Sequence, residues 1–502
     1  MKLTNLAISS LILATTFATS RLLGFEIQNL NAKLISGNYG WIASENGSFD
    51  QFARRLDGQV NFGLIEESIE KGNIDNGDVR ADLPVVFDLR NVQGVNWMPP
   101  VRNQGKCGSC VAFAALSAME GTLNVSTGMP QLNMNLSEQD LFGDIGSCDR
   151  GSQLSFAANS LKRRGVSDEA CFRYVSGRLG KDASASGVCS DRALRKNMIL
   201  SSKYLSSREA IKTAVMKGPV MTSMTVYEDF MFYQSGVYKH VTGSRLGGHA
   251  IAIVGWNDTE QAWIVRNSWG PDWGEEGYFR IAYDDASGLG ESAISFVVES
   301  PSALAHVTDP VYFRPVRGIA NVNVHGLVPL DASGFKIEMK KVGPDFAPPT
   351  LVIDMPSNSV PYDFSQMSDG LYEIKSSILK AEGVVGKPGY SHIIVANQNK
   401  NFSVEAIPDF DATKPVKDRV YVKIQSNTLD IPLTHAELII SDTGGGVVKK
   451  VRVEDPGAQT MVSWRTQTFA NGPYVIYAKG FVGHFQEFTS APLSVTVGND
   501  LP

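Results

Sequence analysis

The chain has 502 residues, a formal net charge of −6 and a pI near 5.7. That balance gives no basic surface, so nucleic acid and anionic membrane are excluded as partners. The length allows about three domains.

The first segment reads as an export signal. Met1-Lys2 is followed by the apolar run Leu6–Ala14 and small residues through Ser20. One charge, a short apolar core and an Ala-x-Ser ending predict a secretory signal peptide over 1–20. The run is too short to span a bilayer and no other segment qualifies, so no transmembrane segment is expected. The expected location is secreted, extracellular or periplasmic. Asn-x-Ser/Thr sequons begin at Asn46, Asn124, Asn135, Asn257 and Asn401; they matter only in a glycosylating host. Between the signal and Leu83 lie Trp41-Ile-Ala43 and the run Phe49–Leu56. The acidic, Gly-containing stretch Asn73–Asp82 reads as a processing linker.

Three short stretches then carry the chemistry: Gln104-Gly-Lys-Cys-Gly-Ser-Cys110, Gly248-His249 leading into Ala250–Val254, and Asn267-Ser-Trp-Gly270. Cys110 opens the apolar run Val111–Met119, which reads as a buried helix. The thiol would therefore sit at a helix N-terminus, where unpaired N–H groups favour an anion. With an imidazolium beside it, that setting depresses a cysteine pKa and makes the nucleophilic thiolate. Of the seven histidines, only His240 and His249 share a region with Cys110. His249 follows Gly247-Gly248, which allow a close approach of substrate or thiol, and Gly248 is a candidate substrate-binding residue. His240 has no such setting and reads as structural. Asn267 can accept from one imidazole nitrogen and orient the ring. The side-chain amide of Gln104 and the backbone N–H of Cys110 can both donate to a tetrahedral oxyanion.

These motifs resemble those of papain-type cysteine proteases, whose Cys-Gly-Ser/Ala-Cys-Trp/Tyr signature matches here except that Val111 replaces the aromatic residue. The resemblance implies an α+β fold: a two-lobed catalytic domain over 83–301, one lobe helical and one β-barrel-like. It places Cys110, His249, Asn267 and Gln104 as catalytic residues, with no metal and no cofactor. Trp269 would shield the His249–Asn267 bond, and Gly151, Gly248 and Trp269 would face the substrate. It pairs Cys107 with Cys148 and Cys171 with Cys189, leaving Cys110 as the free thiol of five cysteines. Residues 21–82 look like a short cathepsin B-like propeptide, an inhibitor laid across the cleft, and Leu83–Arg90 like the start of the mature enzyme. Protein or peptide substrates follow.

Departures from the family pattern bear on specificity. Cys148-Asp-Arg-Gly151 stands where the family has Cys-Asn-Gly-Gly, so only Gly151 is retained, and Ser152-Gln153 replaces the usual aromatic-proline pair. Carboxydipeptidases of the cathepsin B type hold the substrate C-terminus with a histidine-bearing loop. No histidine occurs between Cys110 and His240, so endopeptidase activity is expected. Two alternatives share these residues. An acyl-transfer enzyme of the transpeptidase or transglutaminase kind uses a Cys-His pair, although its third member is more often Asp. An inactive surface-binding protein on the same fold would normally have lost the Cys or the His.

From about Ser302 the chain changes to short Val/Ile/Thr-rich runs with Gly, Pro and Asn turns. A repeat with an offset of 102 aligns Asp369-Gly370-Leu-Tyr372 with Asn471-Gly472-Pro-Tyr474, Asn397 with Asn499, and Tyr362 with Trp464. That period predicts two β-sandwich modules of about seven strands each, over 302–400 and 401–502. They resemble Ig-like or fibronectin III-like domains. Trp464 and Tyr474 read as core residues. A cell-surface or matrix target is the partner expected of these modules.

Overall fold

The computed structural model describes residues 27–44, 62–65, 74–77, 79–130, 132, 134–184, 188–299, 301, 303–310, 315–342, 350–354, 356–397, 403–426, 433, 435–454, 459–482 and 486–499. The signal peptide expected over 1–20, the Phe49–Leu56 run and the sequons at Asn46 and Asn401 lie outside these residues. The chain divides into two compact units, 1–131 with 136–299, and 132–135 with 300–502.

The first unit is built around helix α2 (Cys110–Thr127). Its residues Cys110 to Asn124 are all buried, because helices α3 (Glu138–Ile145) and α4 (Leu154–Arg163) pack on it as well as a sheet. That double cover is why the run is apolar all round. The helix stops at Gly128, whose φ of 70° is open to glycine, with the Gly128 and Met129 N–H groups closing on Val125 and Asn124 carbonyls. Asn124 itself turns its amide onto the Trp97 carbonyl and is buried, so its sequon is out of reach in the folded chain. Arg102 ties the two helices across their base, bonding Glu120 of α2 at 3.0 Å and Glu138 of α3 at 2.6 Å.

The sheet supplies the other lobe. Its order is β1 (Trp41–Ala43), β5 (Tyr233–Tyr238), β8 (Tyr278–Ala282), β7 (Ala262–Arg266), β6 (Arg245–Asn257), β4 (Val220–Tyr227), β9 (Ala293–Val298), β3 (Ile199–Leu205), with β2 (Val86–Asp88) also on β6. The run Ala250–Val254 lies in strand β6, where His249 to Trp256 is buried without a break, since α2 covers one side and the lobe's core the other. The segment before Leu83 is part of this architecture. Strand β1 pairs with β5, Trp41 opposite Gly236, and Trp41 packs on Tyr238 at 5.1 Å. Helix α1 (Ile27–Ser36) leads into β1 and buries Leu30 and Leu34 in the same core.

The stretch expected to be a processing linker is held along one sheet edge in the part described. The Asp75 N–H donates to the Tyr204 carbonyl at 2.8 Å, Asn76 accepts from the Ser206 N–H at 2.8 Å, and Lys203 pairs with Asp75 at 2.8 Å. Acidic residues and a turn glycine signalled a loop; they are spent on the free edge of β3.

The second unit holds two sandwiches of the same plan. In the first, β10 (Leu304–Asp309), β12 (Ile319–Leu327) and β15 (Ser359–Asp363) form one layer. The other layer is β14 (Thr350–Asp354), β13 (Gly334–Lys341), β16 (Gly370–Lys380) and β17 (Gly383–Val395). A short β11 (Pro315–Val316) also pairs with β17. In the second, β18 (Val404–Pro408), β19 (Arg419–Ser426) and β22 (Gln459–Arg465) face β21 (Val447–Glu454), β20 (His435–Asp442) and β23 (Gly472–Val482). Strands β24 (Gln486–Thr489) and β25 (Leu493–Val497) pair with β23. Three strands face four in the first sandwich, where the start of β10 also pairs in parallel with β17, and three face five in the second, where β24 and β25 share the last position; this is the fibronectin III-like arrangement that the repeat predicts. Each sandwich also has a tyrosine corner, Tyr372 Oη on the Ser368 carbonyl at 2.9 Å and Tyr474 Oη on the Ala470 carbonyl at 3.1 Å. Trp464 is fully buried, as expected of a core residue, whereas Tyr474 is only half-buried against the same core because its hydroxyl reaches out to the Ala470 carbonyl.

Candidate active site

Cys110 is the first residue of α2, buried, and the free cysteine among the described residues. Two disulfides hold the surrounding chain. Cys107–Cys148 ties the loop before α2 to the segment after α3, and Cys171–Cys189 closes a separate loop. Cys107, Cys148 and Asp182 bring metal-ligand atoms together. Both sulfurs are bonded to each other there, and Asp182 accepts the Cys148 N–H at 2.7 Å.

The β lobe brings the other groups. The Ala250 N–H donates to Cys110 Sγ at 3.3 Å, so β6 lays the residue after His249 directly against the thiol. His249 Nε2 meets Asn267 Oδ1 at 2.8 Å. The Ser268 N–H also donates to Asn267 Oδ1, at 2.8 Å, which fixes that atom as oxygen. An amide oxygen only accepts, so Nε2 carries the ring proton and Nδ1 keeps its lone pair. Both His249 Nδ1 and Asn267 Nδ2 are buried without a partner. Trp269 stacks on the His249 ring at 4.9 Å and is 4% exposed; Phe230 and Trp273 support it from behind.

A piece of the N-terminal segment occupies the cleft. The Phe62 carbonyl accepts from Gln104 Nε2 at 2.9 Å and from the Cys110 N–H at 3.4 Å. The Phe62 ring packs on His249 at 5.5 Å and on Trp269 at 5.6 Å. Ser152 N–H donates to the Gly63 carbonyl and Ile65 N–H to the Ser152 carbonyl, both at 2.7 Å. Gly63 has φ of +113°, and a Cβ there would overlap the Gly108 carbonyl. Gly151 lies against Gly63, and Gly248 against Leu64, whose Cδ2 is 3.1 Å from where a Gly248 Cβ would be. Thus Gly151, Gly248 and Trp269 all line the covered cleft. Ser152, not Gly151, makes the backbone pairing.

The electrostatics of this covered state differ from the expectation of a thiolate beside an imidazolium. Burial pushes the Cys110 thiol up to about 12, against the smaller opposing effect of the Ala250, Val111 and Cys110 N–H groups. Burial likewise pushes His249 down to about 4, with the Asn267 bond opposing it. Phe62 packs over the His249 ring, and burial strips each charged form of its hydration. Under the segment, burial therefore opposes both the Cys110 thiolate and the His249 imidazolium.

His240 takes the structural reading. Its Nδ1 is 3.0 Å from Asp229 Oδ1 and its ring stacks on Tyr227 at 3.8 Å. Arg150 is exposed and bonds only locally, its Nε to Ser147 Oγ. Three residues at the site escape a reading of the motifs. Phe62 lies in no motif; only an aromatic-Gly pair upstream of Leu83 could have marked it. Ser268 sits inside Asn-Ser-Trp-Gly and donates to Gln104 Oε1 at 2.7 Å. Tyr174, three residues after Cys171, reaches the Gln104 carbonyl at 2.7 Å.

Comparison with known proteins gives the following. The family model described as "Papain family cysteine protease" matches residues 83–297. A cathepsin B-like protein, CP3, from Giardia intestinalis is 34% identical over 226 residues, covering 42% of this chain and 74% of that protein. Among solved structures, procathepsin B S9 from Trypanosoma congolense aligns at TM-score 0.45 and 23% identity, over 55% of this chain and 97% of that one. The fibronectin(III)-like modules of CbhA from Clostridium thermocellum align at TM-score 0.24 and 11% identity, over 39% of this chain and 93% of theirs.

Proposed function

The chain belongs to the papain family of cysteine proteases, and we propose that it is a secreted endopeptidase made as a zymogen, acting through Cys110, His249, Asn267 and Gln104. The segment over 21–82 is the inhibitor, 83–301 the catalytic domain, and 302–400 and 401–502 the two sandwich modules. The seated Phe62 carbonyl carries the conclusion. A peptide carbonyl already lies between Gln104 Nε2 and the Cys110 N–H, where a substrate carbonyl must sit to develop an oxyanion.

In the uncovered cleft the Cys110 proton passes to His249 Nδ1, the nitrogen left free by the Asn267 bond, and the resulting thiolate Sγ bonds to the carbonyl carbon. The carbonyl π electrons move to oxygen, held by Gln104 Nε2 and the Cys110 N–H. Collapse of that intermediate breaks the C–N bond, and the leaving amine takes the proton from His249. Water then attacks the thioester with His249 as base, releasing the acid and restoring the thiol. Phe62–Gly63 lies in the same position over a thiol whose ionisation burial opposes, and the thiol form is the poor nucleophile.

The absence of histidine between Cys110 and His240 supports internal cleavage over release of C-terminal dipeptides. The disulfides and the apolar N-terminus support export into an oxidising compartment, and no helix among the described residues is long and apolar enough to cross a membrane. The modules would tether or space the enzyme on a surface or bulky target.

An epoxide electrophile applied to the processed enzyme should label one residue, Cys110, and abolish hydrolysis of an internal peptide bond. Labelling elsewhere, or hydrolysis surviving in Cys110→Ala, would falsify the assignment.

A further inference from the structure

Gln104 is held at every polar atom. Its N–H donates to the Ser268 carbonyl at 2.8 Å, its Oε1 accepts from Ser268 Oγ at 2.7 Å, and its Nε2 donates to the Cys107 and Phe62 carbonyls. The remaining atom, its own carbonyl oxygen, accepts from Tyr174 Oη at 2.7 Å. Tyr174 Oη is also 2.6 Å from Ser109 Oγ.

The donor order follows from the chemistry. A carbonyl can only accept, so the single phenolic proton goes to Gln104. Ser109 Oγ lies 3.4 Å from the Cys107 carbonyl and 2.6 Å from Tyr174 Oη, and it donates over the shorter contact, to Tyr174. The result is a relay, Ser109 O–H to Tyr174 O–H to Gln104 C=O, in a setting where Ser109 is fully buried and hydrogen bonds are strong. It joins the two ends of the turn 104–109. Gln104 supplies one oxyanion donor from the first end, and the peptide N–H after Ser109 supplies the other. Between them the turn contains Gly105 at φ +60° and Gly108, residues that hold no geometry of their own.

We propose that Tyr174 is a positioning residue for the oxyanion site, setting the separation and aim of the Gln104 Nε2 and Cys110 N–H donors. Its own placement is well determined. Its N–H donates to Glu169 Oε1 at 2.8 Å, its ring meets Phe113 of α2 edge-on at 4.9 Å, and the Cys171–Cys189 disulfide closes its loop. Gly177 of the same loop accepts the Lys106 N–H at 2.8 Å, so the loop grips the turn at a second point. The members of the relay are Ser109, Tyr174 and the Gln104 backbone, and it does not run through the thiol, the imidazole or Asn267. Its effect therefore falls on the tetrahedral stage, when the oxygen becomes charged, and not on substrate binding.

The proposal rests on the cysteine peptidase reading, and its test separates the two. In the processed enzyme, Tyr174→Phe keeps the ring and removes the hydroxyl. It should lower kcat about 10- to 100-fold, somewhat less than loss of a donor itself, with KM within about twofold. Affinity for a peptide aldehyde, which Cys110 converts to a tetrahedral hemithioacetal, should fall by the same factor. The pH profile of Cys110 alkylation by iodoacetamide should match that of the parent. In a Gln104→Ala background the Tyr174→Phe change should cost clearly less than in the parent, because one of the two donors it positions is gone and only the Cys110 N–H remains. Unchanged kcat and aldehyde affinity would overturn the proposal. So would an alkylation profile that moves with kcat, or full additivity with Gln104→Ala. If the parent enzyme neither hydrolyses peptides nor labels at Cys110, the peptidase reading fails first and this one falls with it.

Discussion

The catalytic cleft and the corners of the two sandwiches each contain a buried or half-buried asparagine, used in opposite ways. In the first sandwich Asn397 Nδ2 donates to the Phe364 and Met367 carbonyls and its Oδ1 accepts the Gly318 N–H. In the second, Asn499 Nδ2 donates to the Thr466 and Phe469 carbonyls and its Oδ1 accepts from Thr466 Oγ1. Every bonding position goes to holding the chain. In the cleft, Asn267 spends its oxygen on His249 and Ser268, while its own Nδ2 and His249 Nδ1 stay unpaired. A fully spent polar cluster fixes a fold. A cluster that keeps one group in reserve, at a cost in stability, is where chemistry occurs.

The contrast can be broken at either end. The largest effect is expected in the cleft: His249→Ala should lower kcat/KM by about 10³-fold or more, with little change in the melting of the sandwiches. A comparable loss of sandwich stability would show that the two regions are not independent. Asn499→Ala should do the reverse. It strands two carbonyls, so the second sandwich should lose about 2 kcal/mol in urea, while hydrolysis of a small peptide is unchanged. A drop in kcat in that variant would refute the division of labour.

A smaller, pH-dependent effect concerns the covered cleft. His249 is held near 4 under the segment, below the ordinary value of about 6.5. Between those values the uncovered site binds more protons than the covered one, so covering is favoured above pH 6.5 and weakens as pH falls toward 4. The difference amounts to about 2 to 3 kcal/mol by pH 4.5. In Cys110→Ala, which cannot process itself, hydrogen-exchange protection of the Ser152 amide, corrected for intrinsic rate, should drop at least about 10-fold between pH 7 and 4.5. Phe62→Ala should flatten that dependence, because the ring that dries the imidazole is absent. Protection independent of pH in the parent chain would refute the account.

Much of this was legible from residues alone. The 102-residue offset that aligns Tyr372 with Tyr474 and Asn397 with Asn499 reappears as matching corners, because each motif bonds to backbone within its own sandwich. The buried helix after Cys110 followed from its unbroken apolar run. Harder to see was the cover on both faces of β6, which tertiary packing alone decides. Phe62 and Tyr174 gave almost no signal. Each acts on a loop distant in sequence, and neither stands in a motif whose spacing implies the contact.

The sequence by itself determined the groups that can do chemistry and their kind: a thiol at a helix start, an imidazole after two glycines, an amide to orient it, and two sandwiches in tandem. Local propensities and short-range spacing are enough for that. Only the tertiary structure decided the burial that opposes charge on the pair, the carbonyl seated between two donors, and the hydroxyl that aims them. Those depend on burial and on contacts between segments far apart in the chain, and desolvation has no local signature in a sequence.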